Sequence, residues 1–149
     1  MPPRNSAKAI VFEKNRILLN RCVSRFGEYY ALPGGGQKPG ELLTEAVRRE
    51  LREETGLSVE PVRLCGVYEC ISGGRNNADG HKLYCIFLCR LTDEAPLAPT
   101  ELDAYQIDQK WVPLEEIAGV NLFPRAIRDA IPRMIESSET IYLGSERKR

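Results

Sequence analysis

Between Gly35 and Leu57 runs a helix-length segment whose inward stripe changes chemistry halfway along. At about 100° per residue, Leu43, Ala46, Val47 and Glu50 share one face, with Glu53 and Glu54 close beside it. Glu41, Glu45, Arg48 and Arg52 fall on the opposite side, where a solvated face belongs. The spacing predicts a helix from about Glu41 or Leu42 to Thr55, ended by Gly56. Its first half buries small apolar groups, and its second half continues the same stripe with carboxylates. An ordinary amphipathic helix would carry Leu or Val at positions 50 and 54.

Carboxylates at i, i+3 and i+4 repel one another by a few tenths of a kcal/mol each, and partial burial enlarges that cost. Something positive is therefore expected among them. Oxygen ligands without a histidine or thiolate partner favour Mg²⁺ or Mn²⁺ over zinc. Such ions reach a protein through one or two carboxylates plus substrate phosphate oxygens. Pro33 and three successive glycines, Gly34 to Gly36, precede the helix. A glycine loop lets backbone groups approach ions and anions closely. The plain alternative is a solvated acidic patch balanced by Arg48, Arg49 and Arg52. Acids on the buried stripe, behind a glycine-rich loop, favour a metal-assisted phosphate site.

Elsewhere, Ala7 to Phe12 and Arg16 to Arg21 read as a hairpin. Tyr29 to Leu32 reads as a short strand, and Leu57 to Ile71 contains another with alternating burial. Ser72 to Gly80 is the clearest loop. Lys82 to Leu91 reads as a central apolar strand, Thr92 to Asp108 as an acid-rich connection and Lys110 to Val112 as the last core strand. A helical turn is expected at Pro113 to Ile117. Ala126, Ile127, Ala130, Ile131 and Met134 predict an amphipathic helix over Phe123 to Ile135, kinked or cut short at Pro132. The charged tail Glu146 to Arg149 reads as frayed.

The 149 residues are one domain's worth, with a core expected over about 6–135 and a short C-terminal tail. Lys and Arg number 21 and so do Asp and Glu, for a net charge of zero. That balance argues against a nucleic-acid binder, while leaving room for a local anion site. No apolar run approaches the roughly 18 residues of a membrane span, and the N-terminus has no apolar leader. The five cysteines include no C-x-x-C pair and read as buried free thiols. Cys85 and Cys89 would share one face of a strand. A cytoplasmic protein is expected.

Gly35, five residues, Glu41, seven residues, then Arg49-Glu50-Leu51-Arg52-Glu53-Glu54-Thr55-Gly56-Leu57 matches every specified position of the Nudix box. Seven fixed residue types coincide in one register with odds on the order of one in 10⁹. The chain therefore resembles the Nudix hydrolases over approximately Ser6 to Ile135, with Trp111 to Leu114 adding to the likeness. The resemblance implies an α/β/α sandwich around a mixed sheet, with the box as loop-helix-loop. It also implies hydrolysis of a diphosphate linked to another moiety, with Mg²⁺ (or Mn²⁺) and water.

Carried onto this sequence, Glu53 and Glu54 would ligate metal, and Glu50 would be a further ligand or orient water. The carbonyl of Gly34 or Gly35 would complete the metal shell. Arg49 would hold a box glutamate in register, and Glu41 would brace the loop–helix junction. In some branches the base lies on a distant loop, for which Glu101, Asp103 and Asp108 are available, Glu101 first. Many members dimerise, so a homodimer is an open expectation.

Branch signals narrow the substrate. The ADP-ribose pattern carries a downstream proline, yet none occurs here between Pro61 and Pro96. Where the dinucleoside-polyphosphate branch has a tyrosine, this chain has Gly73, Gly74 and Arg75. The coenzyme A motif is absent around Cys22 to Leu32. A nucleoside triphosphate or other nucleoside diphosphate derivative is left as the expected substrate. The alternatives are ADP-ribose or a nucleotide sugar, or a module that senses a nucleotide without cleaving it. Phe26, Tyr29 and Tyr30 are candidates to stack on a base, and Arg75, Asn76 and Asn77 to reach phosphate or base edges.

Overall fold

The computed structural model describes residues 2–72, 80–102 and 105–148. Strands β1 (Arg4–Glu13), β2 (Arg16–Ser24), β3 (Gly27–Ala31) and β4 (Gly34–Gly36) come first, followed by helix α1 (Leu43–Thr55). Then come β5 (Val59–Ser72), β6 (His81–Leu91), β7 (Gln106–Pro113), a 3-10 turn (Leu114–Gly119), α2 (Arg125–Glu136) and β8 (Ile141–Lys148). Among the described residues the sheet order is β3-β2-β1-β6-β5-β8, with β4 added on β1 and β7 on β2. The β1–β6 and β5–β8 pairs are parallel, and the others antiparallel. The sheet is therefore mixed, with β6 central as expected.

Period-two alternation divides the core into two layers. Ala7, Ala9 and Val11 of β1, with Cys85, Phe87 and Cys89 of β6, pack against Ala46, Val47 and Leu51 of α1. Ile10 of β1 and Ile86 of β6 face the other way, onto Ile127, Ala130, Ile131 and Met134 of α2. One helix thus covers each face, the α/β/α sandwich that the resemblance implies. The alanines of β1 let α1 sit close to the sheet. Among the described residues no helix is long and apolar enough to cross a membrane.

Three local expectations need correction. The triple glycine is not only a loop, since Gly34–Gly36 pairs antiparallel with Ser6 to Lys8. Helix α2 begins at Arg125 and runs through Pro132 to Glu136. Burial of Ile131 and Met134 outweighs the bond that a proline cannot donate, and Arg63 Nη2 donates to the Met134 carbonyl at 2.7 Å near the helix end. The C-terminal tail is a strand rather than a frayed end. β8 pairs with β5 from Gly66↔Ile141 to Ser72↔Lys148, making Lys110–Val112 part of the penultimate strand. The expected loop falls largely on residues 73–79, which lie outside the described residues.

Candidate active site

The stripe of α1 keeps its register as its chemistry changes. Val47 and Leu51 are fully buried, and one turn on, Glu54 is only 2% exposed. Glu50 and Glu53 are half-buried beside it. Gly56 ends the helix in the left-handed conformation, its N–H donating to the Arg52 carbonyl at 3.0 Å. The last carbonyls of any helix need outside donors, and here the β6–β7 connection supplies them. Thr100 and Glu101 donate backbone N–H groups to the Glu53 carbonyl at 3.0 and 2.9 Å, and Leu97 N–H donates to the Gly56 carbonyl at 2.8 Å. Gln106 Nε2 donates to the Glu54 carbonyl at 3.3 Å and Gln109 Nε2 to the Thr55 carbonyl at 3.4 Å. This capping draws Glu101 to the mouth of the site.

Two sets of donors hold the acids. Glu54 Oε1 accepts from Gly34 N–H at 3.0 Å and from Asn20 Nδ2 at 2.9 Å. Asn20 in turn accepts from Gln106 Nε2 at 3.2 Å. The Glu50 carboxylate lies against the Cα of Gly35, where an added Cβ would stand 2.6 Å from its Cδ. Arg49 ties the remainder together. Nε and Nη2 donate to both oxygens of Glu41 at 2.7 and 3.0 Å, and Nη1 reaches Glu50 Oε1 at 2.9 Å and Glu53 Oε2 at 3.2 Å. Nη2 also donates to the Gly36 carbonyl at 3.0 Å. Glu41 accepts from Lys38 N–H at 3.0 Å, so it fastens the loop to the helix rather than facing solvent.

The paired hydrogen bonds from Arg49 hold Glu41 at a pKa of about 2, below its ordinary 4.5, and Glu41 is the largest influence raising Arg49. A depressed carboxylate pKa contributes stability above the unfolded value, and that stability is lost as pH falls through the folded one. Glu41→Gln should therefore destabilise the protein by about 1.5–3 kcal/mol at neutral pH. Its deficit relative to wild type should shrink between pH 4.5 and 2, where wild-type Glu41 takes up its proton. Urea unfolding of both proteins across that range measures it, and a deficit that grew with acid would contradict the assignment.

A cleft of about 220 Å³ opens above these acids, bordered by Gly36, Lys38, Arg49, Glu50, Glu53, Glu54, Glu101 and Leu102. On the other side of the glycine strand is a cavity of about 210 Å³ bordered by Arg4, Ser6, Lys8 and Lys82. A thin glycine wall thus separates an acidic chamber from a basic one. A third cleft, of about 430 Å³, has Tyr29, Tyr68, Tyr84, Phe123, Arg125 and Glu146 among its walls. It shares Ala31, Tyr84, Phe123 and Pro124 with a small cavity that Lys8 also borders.

Among the described residues no group of three or more acidic, histidine or cysteine side chains is arranged to hold a metal ion by itself. The acids instead ring an open cleft around the Arg49 guanidinium. Oxygen-only donors, a glycine that admits the Glu50 carboxylate and an open side toward the cleft fit a divalent ion shared with phosphate.

The sequence candidates separate accordingly. Glu50, Glu53, Glu54, Arg49 and Gly35 are brought together, with Glu101 at the rim. Asp108 is elsewhere, bound to Arg21 through two contacts of 2.7 Å. Asp103, Arg75, Asn76 and Asn77 lie outside the described residues. Tyr29 borders the aromatic cleft, whereas Phe26 is 86% exposed and Tyr30 packs on the core. Sequence reasoning missed Asn20 and Gln106. The available signal was an amide directly after Ile17, Leu18 and Leu19, in a strand buried on both faces.

The NUDIX domain family matches residues 2–134. Nucleoside triphosphatase NudI of Enterobacter sp. is 40% identical over 129 residues, 82% of this chain and 90% of the relative. An ADP-ribose pyrophosphatase of Methanocaldococcus jannaschii is 38% identical over 87 residues, 58% of this chain and 50% of the relative. This chain spans half or less of that relative and of several other curated relatives it matches. Among solved structures, a NUDIX hydrolase from Nitrosomonas europaea superposes with a TM-score of 0.75 at 21% identity, covering 93% of each chain, a likeness of fold. With the whole box in place and the family matched across nearly all its length, the chain belongs to the Nudix family.

Proposed function

We propose that this chain hydrolyses a diphosphate linkage in a nucleoside triphosphate or another nucleoside diphosphate derivative, with Mg²⁺ as its ion and Mn²⁺ as a substitute. Nudix hydrolases generally use a divalent metal. The reading rests on one juxtaposition: Glu50, Glu53 and Glu54 line a cleft against a glycine strand that has Arg4, Lys8 and Lys82 behind it. In this reading the acids and the Gly35 carbonyl hold the ion. When bound, the ion neutralises phosphate charge and makes its water more acidic.

The chain's own residues do the positioning, which carries most of the rate enhancement in phosphoryl transfer. Arg49, anchored by Glu41, fixes the spacing of Glu50 and Glu53. Asn20 and Gly34 fix Glu54. Lys38 and Lys8 offer positive charge to the diphosphate on either side of the glycine strand. We take Glu50 or Glu101 as the carboxylate that receives a proton from the attacking water, and comparing Glu50→Gln with Glu101→Gln assigns that role. The aromatic cleft takes the group attached to the diphosphate. Five free thiols fit a reducing compartment, and we place the chain in the cytoplasm.

The test is a panel of nucleoside di- and triphosphates, nucleotide sugars and dinucleotides, assayed with Mg²⁺ for released phosphate or pyrophosphate. Turnover of at least one class is expected, lost in excess chelator and restored by added Mg²⁺ or Mn²⁺. No turnover anywhere would replace the hydrolase with a binding module.

A further inference from the structure

The aromatic cleft has an acid from outside the residues matched to the family. Glu146 lies on β8, beyond the matched residues 2–134, in register with Cys70 of β5. It is the acidic residue bordering this cleft among the described residues. The buried Tyr68 hydroxyl donates a hydrogen bond to it. The walls are aromatic: Tyr68 and Tyr84 have ring centroids 6.2 Å apart, and Tyr29 meets Phe123 edge-on at 6.4 Å. Arg125 stacks on Phe123 at 4.2 Å and is turned toward Asn121 and the Leu122 carbonyl. A volume of about 430 Å³ is ample for a purine.

We propose that Glu146 makes this a guanine-reading pocket, its carboxylate accepting the ring N1–H and the adjacent 2-amino group. This rests on the reading above that the cleft takes the group attached to the diphosphate. An ionised carboxylate only accepts hydrogen bonds and has about four acceptor positions, one of which Tyr68 uses. Guanine presents two neighbouring N–H donors on that edge. Hypoxanthine presents one. Adenine places a lone pair beside a single amino group, and cytosine does the same, so each sets an acceptor against the carboxylate. Charge-assisted bonds are roughly twice as strong as neutral ones, and a site built for such donors disfavours rings that lack them.

Equilibrium binding of guanosine, inosine and adenosine 5′-diphosphates in excess chelator tests this without relying on turnover. Wild type is expected to hold the guanosine nucleotide at least tenfold more tightly than the other two. Glu146→Gln should bring the three within threefold of one another. Tyr68→Phe, which keeps the ring and removes the orienting hydroxyl, should narrow the gap at least threefold, and it carries the test if Glu146→Gln fails to fold. Similar affinities for all three in wild type, including no binding of any, would overturn the proposal. So would a preference that survives in both variants. Glu54→Gln should retain the guanosine preference, so a chain that discriminates bases but never hydrolyses them would defeat the hydrolase reading and leave this one standing.

Discussion

Glu54→Gln should yield a folded protein whose divalent-ion-dependent turnover falls by about 10²–10³-fold. The two roles of this side chain are separable at the atomic level. Its Oε1 accepts both Gly34 N–H and Asn20 Nδ2, and a glutamine keeps one amide oxygen for those donors. The second carboxylate oxygen becomes an NH₂ group, which donates and cannot ligate a cation. Removing a charge at a site 2% exposed also relieves desolvation. Stability should therefore stay within about 1 kcal/mol of wild type or rise slightly. The measurements are steady-state kinetics at saturating Mg²⁺ beside urea unfolding. Undiminished turnover would remove Glu54 from the site, and a collapsed fold would make its role structural.

The helix that carries Glu54 was legible because its pattern is local. A stripe at helical period turns acidic within one segment, next to a glycine turn, and no distant residue is needed to see it. The roles of Asn20 and Gln106 were hidden for the opposite reason. Each is an amide within a strand, and only the antiparallel pairing of β2 with β7, which sets Cys22 opposite Gln106, brings them to the end of α1. β8 was misread because Glu146, Arg147 and Lys148 look solvated. Strand pairing, however, is made by backbone groups, and charged side chains did not prevent β8 from covering the outer edge of β5. The same error hid Glu146 from the aromatic cleft. The triple glycine was recognised as functional, but its pairing with β1 was not, since glycine carries no apolar alternation to reveal a strand.

That strand gives the second large effect. Gly35→Ala should fold yet lose about 10²-fold in kcat, the scale on which a shift of about 1 Å in a catalytic group is felt. The added methyl would lie 2.6 to 2.7 Å from the Glu50 carboxylate atoms. These are the far end of a flexible side chain, so Glu50 moves and the backbone does not. Arg49 Nη1 would then lose its 2.9 Å contact with Glu50, while both contacts to Glu41 would remain. Gly34→Ala is the informative contrast. Its φ of 140° disfavours any side chain, and a Cβ there would collide with the Ala7 carbonyl and stand 2.7 Å from the Lys8 Cα, which are backbone atoms that cannot step aside. That substitution should cost about 2–3 kcal/mol of stability and disturb the Gly34 N–H that Glu54 accepts. Thermal unfolding and kcat on the two variants separate them. Equal loss of stability at positions 34 and 35 would mean that the strand serves only as scaffold, whereas a kcat defect confined to a stable Gly35→Ala places the glycine in the chemistry through Glu50.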